Sequence, residues 1–201
     1  MSKLDFKSSD FYKDGKFDEA KAKEAIVELC RYHACPIFPQ MPDGIWVSDY
    51  GLGDFLKVGL AALGFVNHTG SDEMYMMQDL YLLPGQMLPE HWHEDYDKRI
   101  LPLKNEGWLI RYGKSYVVGE GEDNMEESIK IPNIHHNGTV TVKHGVWATP
   151  GMFIPLARLA TRHWQIAGSE GAIMTEVANA HDNAAVRHTD RKANENFLAG
   201  I

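Results

Sequence analysis

The sequence predicts a mostly β protein, a sandwich or jelly-roll β-barrel preceded by one N-terminal helix. Three observations carry this. Helical periodicity occurs once, between Asp18 and Arg31; beyond Pro39 the chain breaks into short β-branched and aromatic segments separated by turn dipeptides; and 201 residues suit a single core.

In the helix, Ala22, Ala25, Ile26 and Leu29 fall at i, i+3, i+4 and i+7, with Lys21, Glu24, Glu28 and Arg31 on the opposite side. Asp18 is the expected N-cap, Glu19 complements the dipole in the first turn, and Pro36 forces a stop. After it, turn signals at Pro42-Asp43-Gly44, Pro84-Gly85 and Pro150-Gly151 separate predicted strands. These lie near 45–49, 55–66, 75–83, 88–93, 106–112, 115–118, 139–148, 152–156, 162–167 and 171–178. The charged stretch 119–130 reads as a connection. The expected organisation is a helical arm over 1–39, a β-barrel over 40–180, and a polar C-terminal tail over 181–201. A barrel of short strands can enclose a small ligand.

Composition excludes several function classes. The formal net charge is −8 and the twenty Lys and Arg are scattered, so no basic stripe is available for nucleic acid. The first residues lack a signal peptide's apolar core, and the mild apolar run from Val58 to Val66 is too short to span a bilayer. Cys30 and Cys35, five apart near the helix end, match neither a zinc knuckle nor a disulfide framework. A reducing, cytoplasmic setting is expected. Edge strands and the helix offer surfaces that a symmetric homodimer would cover.

The most informative segment runs from Gly85 to His93. If His91 and His93 lie on a strand, the two-residue period sends both imidazoles to one face and Trp92 to the other. An isolated pair of this kind is most often two solvated rings. Here Glu106 follows thirteen residues later, and His163 comes from the second half of the β body. Together they offer three nitrogens and a carboxylate facing inward, a donor set suited to manganese, iron, cobalt, nickel or zinc.

These residues resemble the cupin metal motif, and the wider chain resembles the D-lyxose isomerase family of the cupin superfamily. The resemblance is carried by Gly85-x5-His91-x-His93, by Trp46 to Phe55 with Gly59-Leu60, by Lys104-Asn105-Glu106, and by His163-Trp164 through Ala167-Gly168-Ser169-Glu170-Gly171-Ala172 to Glu176 and Thr189-Asp190. It implies a cupin-type jelly roll, a manganese-type ion held by His91, His93, Glu106 and His163, and interconversion of a free aldose and ketose such as D-lyxose and D-xylulose.

Moving a carbonyl between C1 and C2 can go by a metal-assisted hydride shift or by an enediol; the enediol route, which is the expectation, removes an α-proton that a carboxylate near the metal must carry. Glu176, thirteen residues after His163, is the candidate; Lys104, sharing the face of Glu106, could steady developing negative charge. Two features depart from the family pattern, one position before the His-x-His pair and the turn before His163. Gln78 stands where a lysine is common, and Arg158 and Ala160 stand where a proline and a glycine are expected. Among other histidines, His68, His135, His136 and His144 read as solvated loop or strand-end residues, whereas His188 could approach the barrel mouth. Two rival functions share the same donor set: a metal-dependent dioxygenase, and a sugar-binding cupin without turnover.

Overall fold

The structure is a computed structural model describing residues 4–70, 72–97 and 100–200. A 3-10 turn at Ser8–Phe11 leads into two paired short strands, β1 (Tyr12–Lys13) and β2 (Lys16–Phe17), and then α1 (Glu19–Tyr32). Asp18 caps α1 as expected, its side chain accepting from Lys21 N–H at 3.0 Å. There follow β3 (Trp46–Ser48), β4 (Leu60–His68), β5 (Tyr75–Leu82), β6 (Met87–His93), β7 (Glu106–Gly119), β8 (His144–Ala148), β9 (Phe153–Pro155), β10 (His163–Ala178), β11 (Val186–His188) and α2 (Arg191–Ala199).

The order β11-β6-β10-β5-β4-β3 forms one path of antiparallel neighbours, and β7 joins β10 to β8 and β9. The long strand β10 is the spine. Its first part, from His163 to Ile166, pairs with β6, and its second, from Ala172 to Ala178, pairs with β5; β7 lies along both parts. Between them the register with β7 shifts, and Gly113 and Gly171 meet at the bend with φ of +65° and +75°. A Cβ on Gly113 would lie 2.1 Å from the Gly171 carbonyl oxygen, so only glycine permits this approach. Curling at this point lets one strand serve two sheet halves.

Several expected boundaries change here. The segments 106–112 and 115–118 are one strand, as are 162–167 and 171–178, because the register shifts around Gly113 and Gly171 are irregularities inside continuous strands. Strand β11 and helix α2 lie within what read as a polar tail, and β8 is shorter than 139–148.

Helix α1 packs its apolar stripe on the outer face of β4, β5 and β10: Ile26 and Leu29 share one cluster with Ala61, Leu63, Tyr81 and Ile173. Inside the barrel, Leu80, Leu88, Trp108, Ile110 and Met174 form a second cluster. The two clusters fix β5 and β10 from both sides, each buried Leu or Ile contributing about 1.5–3 kcal/mol. Among the described residues no helix is long and apolar enough to cross a membrane.

Candidate metal and active site

The Pro84-Gly85 turn, with φ of +70° at Gly85, starts β6, and Gln86 pins it by accepting from Leu83 N–H and donating to the Phe55 carbonyl. On β6 the register against β10 changes from Leu88↔Gln165 to His91↔His163, so one extra residue of β6 is accommodated around Pro89 and Glu90. Pro89, which has no N–H to donate, suits this interruption. Glu90 is thereby turned out of the barrel and accepts from Thr141 and Val142 N–H groups. His91 and His93 face inward, and Trp92 faces outward against Arg162.

The three histidines converge: one ring nitrogen from each of His91, His93 and His163 lies within 4.8 Å of the others. Backbone carbonyls orient two of the rings. His91 Nδ1 lies 2.9 Å from Pro89 O and His163 Nδ1 lies 3.0 Å from Thr161 O, so Nδ1 carries the proton in each and Nε2 presents a bare lone pair. Glu106 enters from β7, its Oε1 lying 3.1 Å from His93 Nε2 and 3.4 Å from His163 Nε2. Both nitrogens of His93, Nε2 of His163 and Oε1 of Glu106 are buried without a hydrogen-bond partner.

At His163, whose proton sits on Nδ1, the Nε2 lone pair set against the Glu106 carboxylate oxygen is repulsive unless a cation lies between them. The donors therefore fit a divalent metal of the manganese-to-zinc series. Burial keeps the rings neutral, as ligands must be: His91 is held well below the ordinary value, and burial, outweighing the neighbouring Glu106, takes His93 down to about 4.

Beside these donors Lys104 is almost wholly buried between two carboxylates, its Nζ 2.8 Å from Glu106 Oε2 and 2.5 Å from Glu176 Oε1. Glu176 comes from the second half of β10, with Gln78 directly opposite on β5 donating to its Oε2 at 3.2 Å. The two carboxylates diverge in acidity. Burial raises both, but Lys104, His93 and His163 overcome it and hold Glu106 well below the usual carboxylate range. At Glu176 burial wins over Lys104, and Glu106 adds to it, so this carboxyl is raised. Lys104 loses charge preference through burial but regains more from its two acidic partners, and stays an ammonium.

All these groups except His163 line one cavity of about 220 Å³, whose wall includes Trp46, Tyr50, Leu80, Trp108 and Phe197. Two further imidazoles enter it. His188, on β11 directly opposite His91, is 5% exposed with both ring nitrogens unpartnered, and burial drives it down to about 3. His181 also lines the cavity, its Nε2 2.7 Å from Asn183 Oδ1. No local pattern marks His181, and β11 is too short for a pattern to reveal. His135 is a correction: it is 0% exposed rather than solvated, because its turn folds under α2's capping residue Asp190, which accepts from His136 N–H at 2.6 Å. His68, His136 and His144 are exposed. Of the departures from the family pattern, Ala160 adopts φ of +59°, the left-handed conformation that favours glycine, and Arg158 pairs with Glu120 at the surface.

No family model matches the chain. A D-lyxose/D-mannose isomerase from Thermosediminibacter oceani is 33% identical over 168 residues, 84% of this chain and 88% of that protein. The chain belongs to the D-lyxose isomerase family. A D-lyxose ketol-isomerase from Cohnella laeviribosi is 28% identical over 172 residues, 86% of this chain and 90% of that one. The fold is the cupin-type jelly roll. An L-ribose isomerase from Cellulomonas parahominis shares it with a TM-score of 0.62 at 14% identity, over 88% of this chain and 92% of that one. An L-ribose isomerase from Acinetobacter sp. DL28 superposes with a TM-score of 0.59 at 13% identity, covering 88% and 94% of the two chains. As a member of this family the protein is a sugar isomerase.

Proposed function

We propose that the protein is a metal-dependent aldose–ketose isomerase acting on a free pentose or hexose, with D-lyxose and D-xylulose as the pair to test first. The observation that carries this reading is Glu176: a buried carboxylate, raised in basicity, held by Lys104 and Gln78 in the cavity that His91, His93 and Glu106 also line.

His91, His93, His163 and Glu106 would hold the ion, for which manganese is our choice. A bound divalent cation supplies Lewis-acid stabilisation of negative charge on the sugar oxygens. Glu176 takes the C2 proton of the aldose and returns it to C1. Gln78 and Lys104 fix its oxygens, so the proton is lifted and delivered from one place. Lys104 is a full positive charge within a buried site, which favours the transient anion. His188, with two unpartnered nitrogens, can hydrogen-bond sugar hydroxyls as donor and acceptor. Trp46, Tyr50 and Phe197 give an apolar surface against which a sugar ring can pack.

We further propose a cytoplasmic homodimer. Met77 and Val177, cross-strand neighbours, are both exposed on the outer face of the sheet, which supports a covered surface there.

The test is a panel of aldoses and ketoses assayed after chelation, with and without added manganese. Manganese-dependent interconversion of D-lyxose and D-xylulose, with solvent deuterium entering C2, is the expected result. Oxygen consumption by the iron-loaded protein without isomerisation of any sugar would overturn the proposal. Sugar and metal binding without turnover would likewise leave a binding protein.

A further inference from the structure

The end of α1 is built around two sulfurs. His33 caps the helix with φ of −88°, Ala34 takes φ of +53°, and two backbone bonds close the turn, Ala34 N–H to Arg31 O at 3.1 Å and Cys35 N–H to Cys30 O at 2.8 Å. This is a Schellman closure, which folds the second residue beyond the cap back over the third residue from the helix end; an apolar contact commonly joins those two positions. Here both are cysteines, and both are free thiols in one apolar cluster. The spacing of five, which along the sequence matches no disulfide framework, is in this turn the spacing that brings two side chains together.

We infer that Cys30 and Cys35 are a redox pair that closes reversibly to an intrachain disulfide when a hydroperoxide oxidises Cys35. A disulfide requires Cα atoms about 4.4–6.8 Å apart, and here the backbone bond from Cys35 N–H to Cys30 O draws the two residues together with their thiols in contact. The two sulfurs are unequally placed. Cys35 is 8% exposed at the surface side of the cluster, whereas Cys30 is 0% exposed beneath it. Their acidities diverge in the same sense: contact with Cys30 holds the Cys35 thiol below its ordinary value against the opposing effect of burial, while contact with Cys35 and then burial raise Cys30. Burial and the charge of Asp79 oppose a Cys35 thiolate, and Arg111 on β7 offsets part of that opposition.

The chemistry balances with the peroxide as the only oxidant. The Cys35 sulfur attacks one peroxide oxygen and the O–O bond breaks. The departing oxygen takes up the Cys35 proton, leaving a sulfenic acid. The Cys30 sulfur then attacks the Cys35 sulfur, the S–O bond breaks, and the hydroxide leaves with the Cys30 proton as water. Two thiols lose two electrons and one peroxide gains them. A dithiol reductant reverses the bond by exchange.

The pair sits behind the strand that carries Gln78. Tyr81, in the same apolar cluster as both cysteines, belongs to β5, whose opposite face lines the cavity. Closure also fastens the start of the segment running from Cys35 to the cavity-lining Gly44 and Trp46.

The experiment uses the full chain. Protein treated with hydrogen peroxide is quenched, denatured and labelled with a maleimide, and its intact mass and peptides are compared with untreated protein. Untreated protein should take up two labels. Treated protein should take up none, lose the mass of two hydrogens, yield a peptide joining Cys30 to Cys35, and recover both labels after dithiothreitol. In Cys30→Ser, oxidation should stop at a sulfenic acid on Cys35 that dimedone traps. Should treated wild type still accept two labels, over-oxidise Cys35 with Cys30 left free, or join only different chains, the inference fails. The wild-type peptide map decides this even if the variant does not fold.

Discussion

Glu106 and Glu176, buried carboxylates on paired strands, share the single ammonium of Lys104, which lies 2.8 Å from one and 2.5 Å from the other. Removing that charge leaves two buried anionic groups with no cation between them. Lys104→Met should therefore cost about 3–5 kcal/mol of stability. Urea unfolding of metal-free protein at neutral pH measures it, and an unchanged midpoint would show that one carboxyl is already protonated.

Glu176→Gln keeps the shape and the contacts to strand β5 but removes the basic oxygen. Turnover should fall by about 10²–10⁴-fold, the range for a general base. Calorimetric titration with manganese should change little, since the variant leaves the proposed metal donors intact. A parallel loss of metal affinity would place Glu176 among the ligands instead.

Because burial raises Glu176, the acid limb of kcat/KM should lie above the ordinary glutamate value. The sign follows from its role: the carboxylate must be free to accept a proton, so activity falls as pH drops through its pKa. Gln78→Lys puts a second ammonium beside Glu176 and should move that limb to lower pH. A pH–rate profile of the two proteins compares them directly, and a limb that moved upward would contradict the assignment.

Chelated protein should lose stability on acidification. His93 and His181 are held down to about 4 and His188 to about 3, all first by burial, whereas an unfolded chain protonates near 6.5. Above 6.5 neither state takes up these protons and the contribution is fully present. Between 6.5 and about 4 only the unfolded chain binds them, so stability falls by about 1.4 kcal/mol per pH unit for each ring. Thermal melts across this window should show Tm dropping, and added manganese should raise Tm most at neutral pH, where the rings are free to bind it.

Much of the site was legible because alternation on strands is local. His91 and His93 share a face by the two-residue period, whereas Lys104 lies just before β7 begins at Glu106 and reaches the interior through its ion pairs with Glu106 and Glu176. The helix, with Asp18 as cap and Ile26 and Leu29 inward, was likewise written in one periodic stretch. What remained hidden depends on tertiary contact. Gly113 and Gly171 read as strand ends but are the bend where β7 and β10 cross. His188 owes its place to three residues of β11 pairing with β6, and His135 is buried by α2's start. No window of sequence contains either partner.

The proposed metal donor His163 and the proposed base Glu176 belong to one uninterrupted strand, clamped by core packing on both faces. That strand acts as a ruler: the interval between electrophile and base is set once, by the backbone. The walls that would meet the rest of a sugar, Trp46 and Tyr50 early in the chain and Phe197 near its end, hang from other elements. Sugar preference can thus be retuned at the periphery while the span across which a proton must travel stays constant.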